Sequence, residues 1–135
     1  MIVLRATAPC PCGRQDAAYA DCCGRLHAGM RADGPYAQRA EDLMRSRYSA
    51  FVVQDANYLL ATWAADQRPP GIEFDVGVKW LGLAIRHCVQ HDACHAEVEF
   101  IARYKPQVGP AVRLHERSRF IFQDGRWRYV DGQQF

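Results

Sequence analysis

Lysine is nearly missing from this 135-residue chain: of seventeen basic side chains only Lys79 and Lys105 are lysine, and the other fifteen are arginine. Arginine suits bidentate contact with carboxylate or phosphate. The formal net charge is only +2, however, which excludes broad attraction to a nucleic acid or a membrane surface as an organising feature. Long apolar runs are missing too. No stretch approaches the roughly 20 apolar residues of a spanning helix, and Arg5 interrupts the apolar opening Met1–Leu4 before a secretory core can develop. The expectation is a cytoplasmic protein without a membrane partner. There is no internal repeat, no low-complexity segment, no phosphate loop, and no constellation of nucleophile and base.

The chain divides by texture. Residues 1–30 are rich in Cys, Gly and Ala without sustained periodicity, and residues 31–135 are strongly periodic. After Asp33-Gly34-Pro35, Tyr36, Ala37, Ala40, Leu43, Met44, Tyr48 and Phe51 fall on one face of a helix over about 35–54, with Asp33 as its expected cap. A shorter helix over about 56–65 carries Tyr58, Leu59, Leu60 and Trp63 and ends at Arg68-Pro69-Pro70-Gly71. From Lys79 onward the pattern alternates as strand does. Asp124-Gly125 signals a two-residue hairpin that sets Phe122 opposite Trp127 and Phe120 opposite Tyr129. The turn from Pro106 to Pro110 sets Phe100 opposite Glu116 and Ala102 opposite Leu114. The expected fold class is α+β: two helices covering one face of a curved, four-stranded antiparallel meander.

Cysteine carries the clearest chemistry. Six cysteines in a chain expected to stay reduced point to metal or redox chemistry before disulfides. Cys10-Pro11-Cys12-Gly13 and Cys22-Cys23-Gly24 offer two close pairs separated by a short loop, the supply a tetrahedral zinc site needs. Gly13 and Gly24 allow tight turns, and Arg14 and Arg25 stand where they could offset the charge of four thiolates. The expectation is one structural Zn²⁺ held by Cys10, Cys12, Cys22 and Cys23. A redox pair fits less well, because its usual spacing is C-x-x-C.

These residues also carry a resemblance. Pro9-Cys10-Pro11-Cys12-Gly13, Tyr19 and Cys22-Cys23-Gly24 resemble the SEC-C motif found at the C-terminus of the SecA translocation ATPase, with a loop one residue longer than usual. Leu43–Ala50, Tyr58–Trp63, Trp80–Leu83, His115–Phe120, Asp124–Trp127 and Tyr129–Gly132 resemble the YchJ-like family. That resemblance implies an N-terminal zinc knuckle over 1–30 and, over 31–135, a cone-shaped domain like nuclear transport factor two. It implies no particular activity. By analogy with SecA, where the motif docks on other macromolecules, it suggests a binding or adaptor module with a protein partner at the knuckle.

Several polar residues fall on the apolar side. Strand parity puts Glu116 and Ser118 in line with Leu114 and Phe120, the hairpin register puts Asp131 opposite Ser118, and Arg47 lies within the apolar arc of the long helix. The leading expectation is a buried ion pair between Arg47 and Glu116 or Asp131. The alternative is a polar-floored pocket walled by Tyr48, Trp63 and Trp80, able to hold a small ligand or to serve a small enzyme with a carboxylate base. His87, Cys88, His91, Cys94 and His95 could make a second metal site if a hairpin set Cys88 across from Cys94. The outer sheet face carries Arg113, His115, Arg117, Arg119, Arg126 and Arg128, with Glu99 expected opposite Arg117 and Glu97 opposite Arg119. Paired in this way, that face is not expected to bind nucleic acid.

Overall fold

A computed structural model describes residues 1–135. A 3-10 turn, Tyr19–Asp21, leads into helix α1 (Cys23–Arg31), followed by α2 (Ala40–Val53), α3 (Ala56–Ala61) and a second 3-10 turn, Ala65–Gln67. Four strands follow, β1 (Lys79–Gln90), β2 (His95–Lys105), β3 (Val112–Gln123) and β4 (Arg126–Gln134), paired antiparallel in chain order. The expected α+β class and four-stranded meander are present, with one more helix than expected.

That extra helix is α1. Its inward residues are Cys23, Leu26, His27 and Gly29, only one of which is a large aliphatic, so its apolar stripe is faint. Gly29 is required by contact: a Cβ there would collide with the backbone of Gly34 and Pro35. This close approach also explains why α2 starts later than expected. Asp33 and Gly34 have φ of 61° and 118°, turning the chain across α1, and Asp33 caps nothing; Arg39 occupies the cap position of α2. Glu41 and Asp42 in the first turn then favour the helix dipole. At the far end Gln54 adopts the left-handed conformation, and the Asp55 side chain caps α3 by accepting from Tyr58 N at 3.1 Å.

The registers Phe100↔Glu116, Ala102↔Leu114, Phe120↔Tyr129 and Phe122↔Trp127 match expectation. Beyond Tyr129 the strand shifts: Arg119 pairs with Asp131 and Ser118 with Gly132, leaving Val130 as an extra residue. A bulge of this kind reverses which side chains face inward. The segment Thr62–Ala64 lies along the free edge of β4, exchanging Tyr129 N–H to Thr62 O at 2.7 Å and Ala64 N–H to Tyr129 O at 2.7 Å. It covers an edge that would otherwise stay open.

The core is continuous. Cys10, Cys12, Cys22, Cys23 and Leu26 join one buried cluster with Leu43, Met44 and Tyr48 of α2 and with Val98, Phe100, Phe120 and Trp127 of the sheet. No helix is long and apolar enough to cross a membrane.

Candidate metal centre and cone cavity

The residues before α1 form a loop that presents two cysteines to the helix start. Tyr19 N–H donates to Ala8 O at 2.7 Å and Cys10 N–H to Ala17 O at 3.0 Å, while Gly13, at φ 76°, closes the turn onto Cys10 O at 3.1 Å. Cys22 is the cap residue of α1 and Cys23 its first residue, where the dipole favours thiolate. The four Sγ atoms lie within 4.8 Å of one another, and all four residues are buried. Cys12 Sγ and Cys22 Sγ are 3.6 Å apart. A disulfide would need about 2.05 Å, whereas four sulfurs each about 2.3 Å from a central zinc are about 3.8 Å apart. The donor set therefore fits a tetrahedral thiolate-loving cation.

The thiols press on one another. Hydrogen bonds from Cys12 and then Cys23 hold the Cys10 thiol below the usual range, and hydrogen bonds with Cys10 and Cys12 push Cys23 above it. Burial, with the charge of Cys12 and Cys10 behind it, pushes Cys22 up to about 12. Protons must leave for all four sulfurs to ligate, and a bound dication supplies the compensating charge. The backbone is braced by Arg45, which donates to Cys12 O at 3.0 Å and pairs with Glu41 at 2.9 Å. Arg14, expected to offset the thiolates, spends its charge mainly on Asp42 at 2.7 Å.

Behind the cluster lies a polar relay that the sequence did not single out. The carbonyl of Ser46 can only accept, so His27 Nε2 carries the proton and donates to it at 2.8 Å; Tyr19 OH then donates to Nδ1 at 2.6 Å. Tyr58 OH donates to Ser46 Oγ at 2.6 Å, which itself donates to Leu43 O at 2.8 Å. His27 is thus a neutral brace, and burial lowers its pKa. Its one signal in the sequence is its position four residues after Cys23, on the same helix face.

Between α2 and the concave sheet face is a cavity of about 460 Å³. It is lined by Arg47, Tyr48, Trp63, Trp80, Glu116 and Ser118 among others, and Asp131 is not among them. The expected placement of Asp131 is corrected by the bulge in β4, which turns it outward to a bidentate pair with Arg119. The expected ion pair is also absent: no carboxylate lies within pairing distance of Arg47. Its Nη1 donates to Leu59 O and Thr62 Oγ1, each at 2.7 Å. The guanidinium lies 5.0 Å from the Trp63 ring and 4.6 Å from the Tyr129 ring. Burial pushes it down to about 10, and it remains a cation at neutral pH. Glu116 instead accepts from Ser118 Oγ at 2.6 Å and Tyr129 OH at 3.4 Å.

The histidine-rich hairpin does not bring its cysteines together. Cys88 pairs with Val98, while His91 bonds Glu97 at 3.0 Å and His95 bonds Asp92 at 2.9 Å. On the outer face Glu99 pairs with Arg117 at 3.2 Å and His115 at 3.0 Å. Glu97 stands opposite Arg119 in register, but Arg119 is taken by Asp131.

Comparison with known proteins agrees with this architecture. Residues 39–132 match the family described as YchJ, middle NTF2-like domain. A UPF0225 protein of Polaromonas sp. is 61% identical over 130 residues, covering 93% of this chain and 92% of its own length. One from Bordetella parapertussis is 56% identical over 126 residues, covering 93% and 92%. Among solved structures, a SEC-C motif containing protein from Rhodopseudomonas palustris has TM-score 0.77 and 32% identity over 93% of this chain and 98% of its own. A second, from Psychrobacter arcticus, has TM-score 0.78 and 29% identity over 93% and 82%.

Proposed function

This chain belongs to the YchJ-like UPF0225 family, and on that footing we propose that it is a zinc-stabilised binding module. Its knuckle holds one structural Zn²⁺ and its cone receives a small ligand. The observation that carries the reading is the closed, buried four-sulfur cluster sharing one core with the cone. Four protein ligands leave a zinc ion no open position for substrate, which is the mark of a structural site. The enzyme alternative is weakened because Asp131, one of its two candidate bases, lies outside the cavity, and Glu116 is engaged by Ser118 and Tyr129. The knuckle is the part we assign to a protein partner: Arg25 is exposed beside Cys22 and Cys23, on a groove that also includes Arg14 and Arg45.

The metal reading is tested by elemental analysis of purified protein. About one zinc per chain is expected, with large loss in Cys12→Ser or Cys22→Ser. Stoichiometric zinc surviving removal of all four cysteines would sink it, and a different metal at full occupancy would replace zinc without moving the site.

A further inference from the structure

Arg47 is 4% exposed and makes no salt bridge; the Glu116 carboxylate of the same cavity acts on it only at longer range. Buried arginines are ordinarily paired, and an uncompensated buried charge is strongly destabilising. Two aromatic faces offset part of that, but only Nη1 is hydrogen-bonded, and the rest of the guanidinium finds no acceptor in the protein while the residue lines the cavity. Its position is fixed in advance. Leu59 O and Thr62 Oγ1 hold Nη1, and the Thr62 hydroxyl is itself oriented by donating to Tyr58 O at 2.8 Å. Trp63, which covers the guanidinium, also keeps its Nε1–H buried without an acceptor. Two donors on this wall of the cavity, the free edge of the Arg47 guanidinium and the Trp63 Nε1–H, are therefore left without a hydrogen-bond acceptor.

The remainder of the cavity is aromatic. Trp80 packs against Tyr48, Phe51 and Tyr104 at centroid distances of 5.5, 5.8 and 5.1 Å, and Phe100 lies on the same lining. A space of about 460 Å³ is within the usual range for small-molecule sites. Glu73 and Asp75 are exposed on the same lining and disfavour a second negative group on the outer part of a ligand.

We propose that the cone cavity is a carboxylate site, in which Arg47 takes the acid group of a small monocarboxylate whose apolar body lies along the Tyr48–Trp80–Phe100 wall. The proposal rests on the binding-module reading of the cone but not on the identity of the metal. Arginine is suited to the role because its planar fork matches a carboxylate and stays charged when buried.

The test uses the metal-loaded protein and three probes of one shape: phenylacetate, phenylacetamide and phenethylamine. Binding is followed by the fluorescence of Trp63 and Trp80 and by thermal melting. Phenylacetate should bind at least tenfold more tightly than the other two and raise the melting temperature. A second carboxylate at the para position should weaken it at least tenfold. Arg47→Met should erase the preference for the acid. Should that variant fail to fold, Glu116→Gln keeps Arg47 in place, removes a like charge from the same cavity, and should tighten phenylacetate several-fold. Equal or tighter binding of the amide or the amine would overturn the carboxylate assignment and leave a binding module of other preference. No binding of any probe at millimolar concentration would overturn the binding-module reading with it.

Discussion

His27 shows how much one side chain can tie together. It joins the helix that carries Cys23 to the backbone of α2 through Ser46, and to the loop before the helix through Tyr19. Both ring nitrogens are used in the neutral form, so a proton on Nδ1 would face a hydroxyl that must turn away. The consequence for pH has a definite sign. The folded pKa is lowered by burial, so below about 6.5 the unfolded chain takes up a proton that the folded chain resists. The contribution of His27 is fully present above that pH and is lost as pH falls through it. In metal-loaded protein, stability from pH 7 to pH 5 should fall more steeply for wild type than for His27→Gln. The difference can reach about 1.4 kcal/mol per pH unit, the value for one proton. Thermal melts across that range measure it, and parallel curves would show that His27 takes up its proton as readily in the fold as in the unfolded chain. His27→Phe at pH 7 should itself lose about 1–3 kcal/mol, because the Tyr19 hydroxyl loses its acceptor and the Ser46 carbonyl keeps only its helical donor.

At the scale of elements, the sequence was readable wherever one periodicity ran unbroken. The Asp124-Gly125 turn fixed the first pairs of the β3–β4 hairpin, and the alternation of β2 and β3 fixed Phe100 against Glu116, because a slip of one residue would have exposed every core side chain. Legibility ended at Val130. A bulge adds one residue without any compositional mark, and everything after it changes face, which is why Asp131 was placed inward and stands outward. The long helix was found but its start was not, because the chain reverses at Asp33-Gly34 against Gly29. Strand parity placed Glu116 and Ser118 on the inner side, where the cavity lining includes both. The partner of Arg47 was not anticipated, because that depends on which backbone carbonyl α3 delivers. The bulge also brings Gly132 beneath Glu116, where a Cβ would collide with the carboxylate. Gly132→Ala should therefore destabilise by about 1–3 kcal/mol, as overpacking does, and combining it with Glu116→Ala should recover part of the loss. Strict additivity in a double-mutant cycle of melts would mean that the two side chains do not meet.

For the whole molecule, the decisive feature is that the cysteine cluster and the cone have no separate interiors. Cys10 and Cys12 belong to the same buried group as Leu43, Met44 and Phe100, and Arg45 of α2 holds the carbonyl of Cys12. A knuckle on a flexible tether could lose its metal and leave the cone standing. Here the cysteines meet α2 at Arg45 and Ser49, in the same turns that carry Arg47 and Tyr48 into the cavity. If the cluster holds the proposed ion, removing it would leave four buried sulfurs that cannot all remain thiolate, and their reprotonation and repulsion would act on the helix they touch. Metal binding free energy is then folding free energy for the whole chain. Chelation should lower the melting temperature of the cone itself. The loss should appear as one transition both in far-ultraviolet dichroism and in the fluorescence of Trp63, Trp80 and Trp127, all of which lie outside the knuckle. The carboxylate preference of the cavity should weaken along with it, since Arg47 is held only as firmly as α2. Two separated transitions on chelation, the tryptophans melting where the loaded protein melts, would show that the knuckle folds alone and that the shared core transmits nothing.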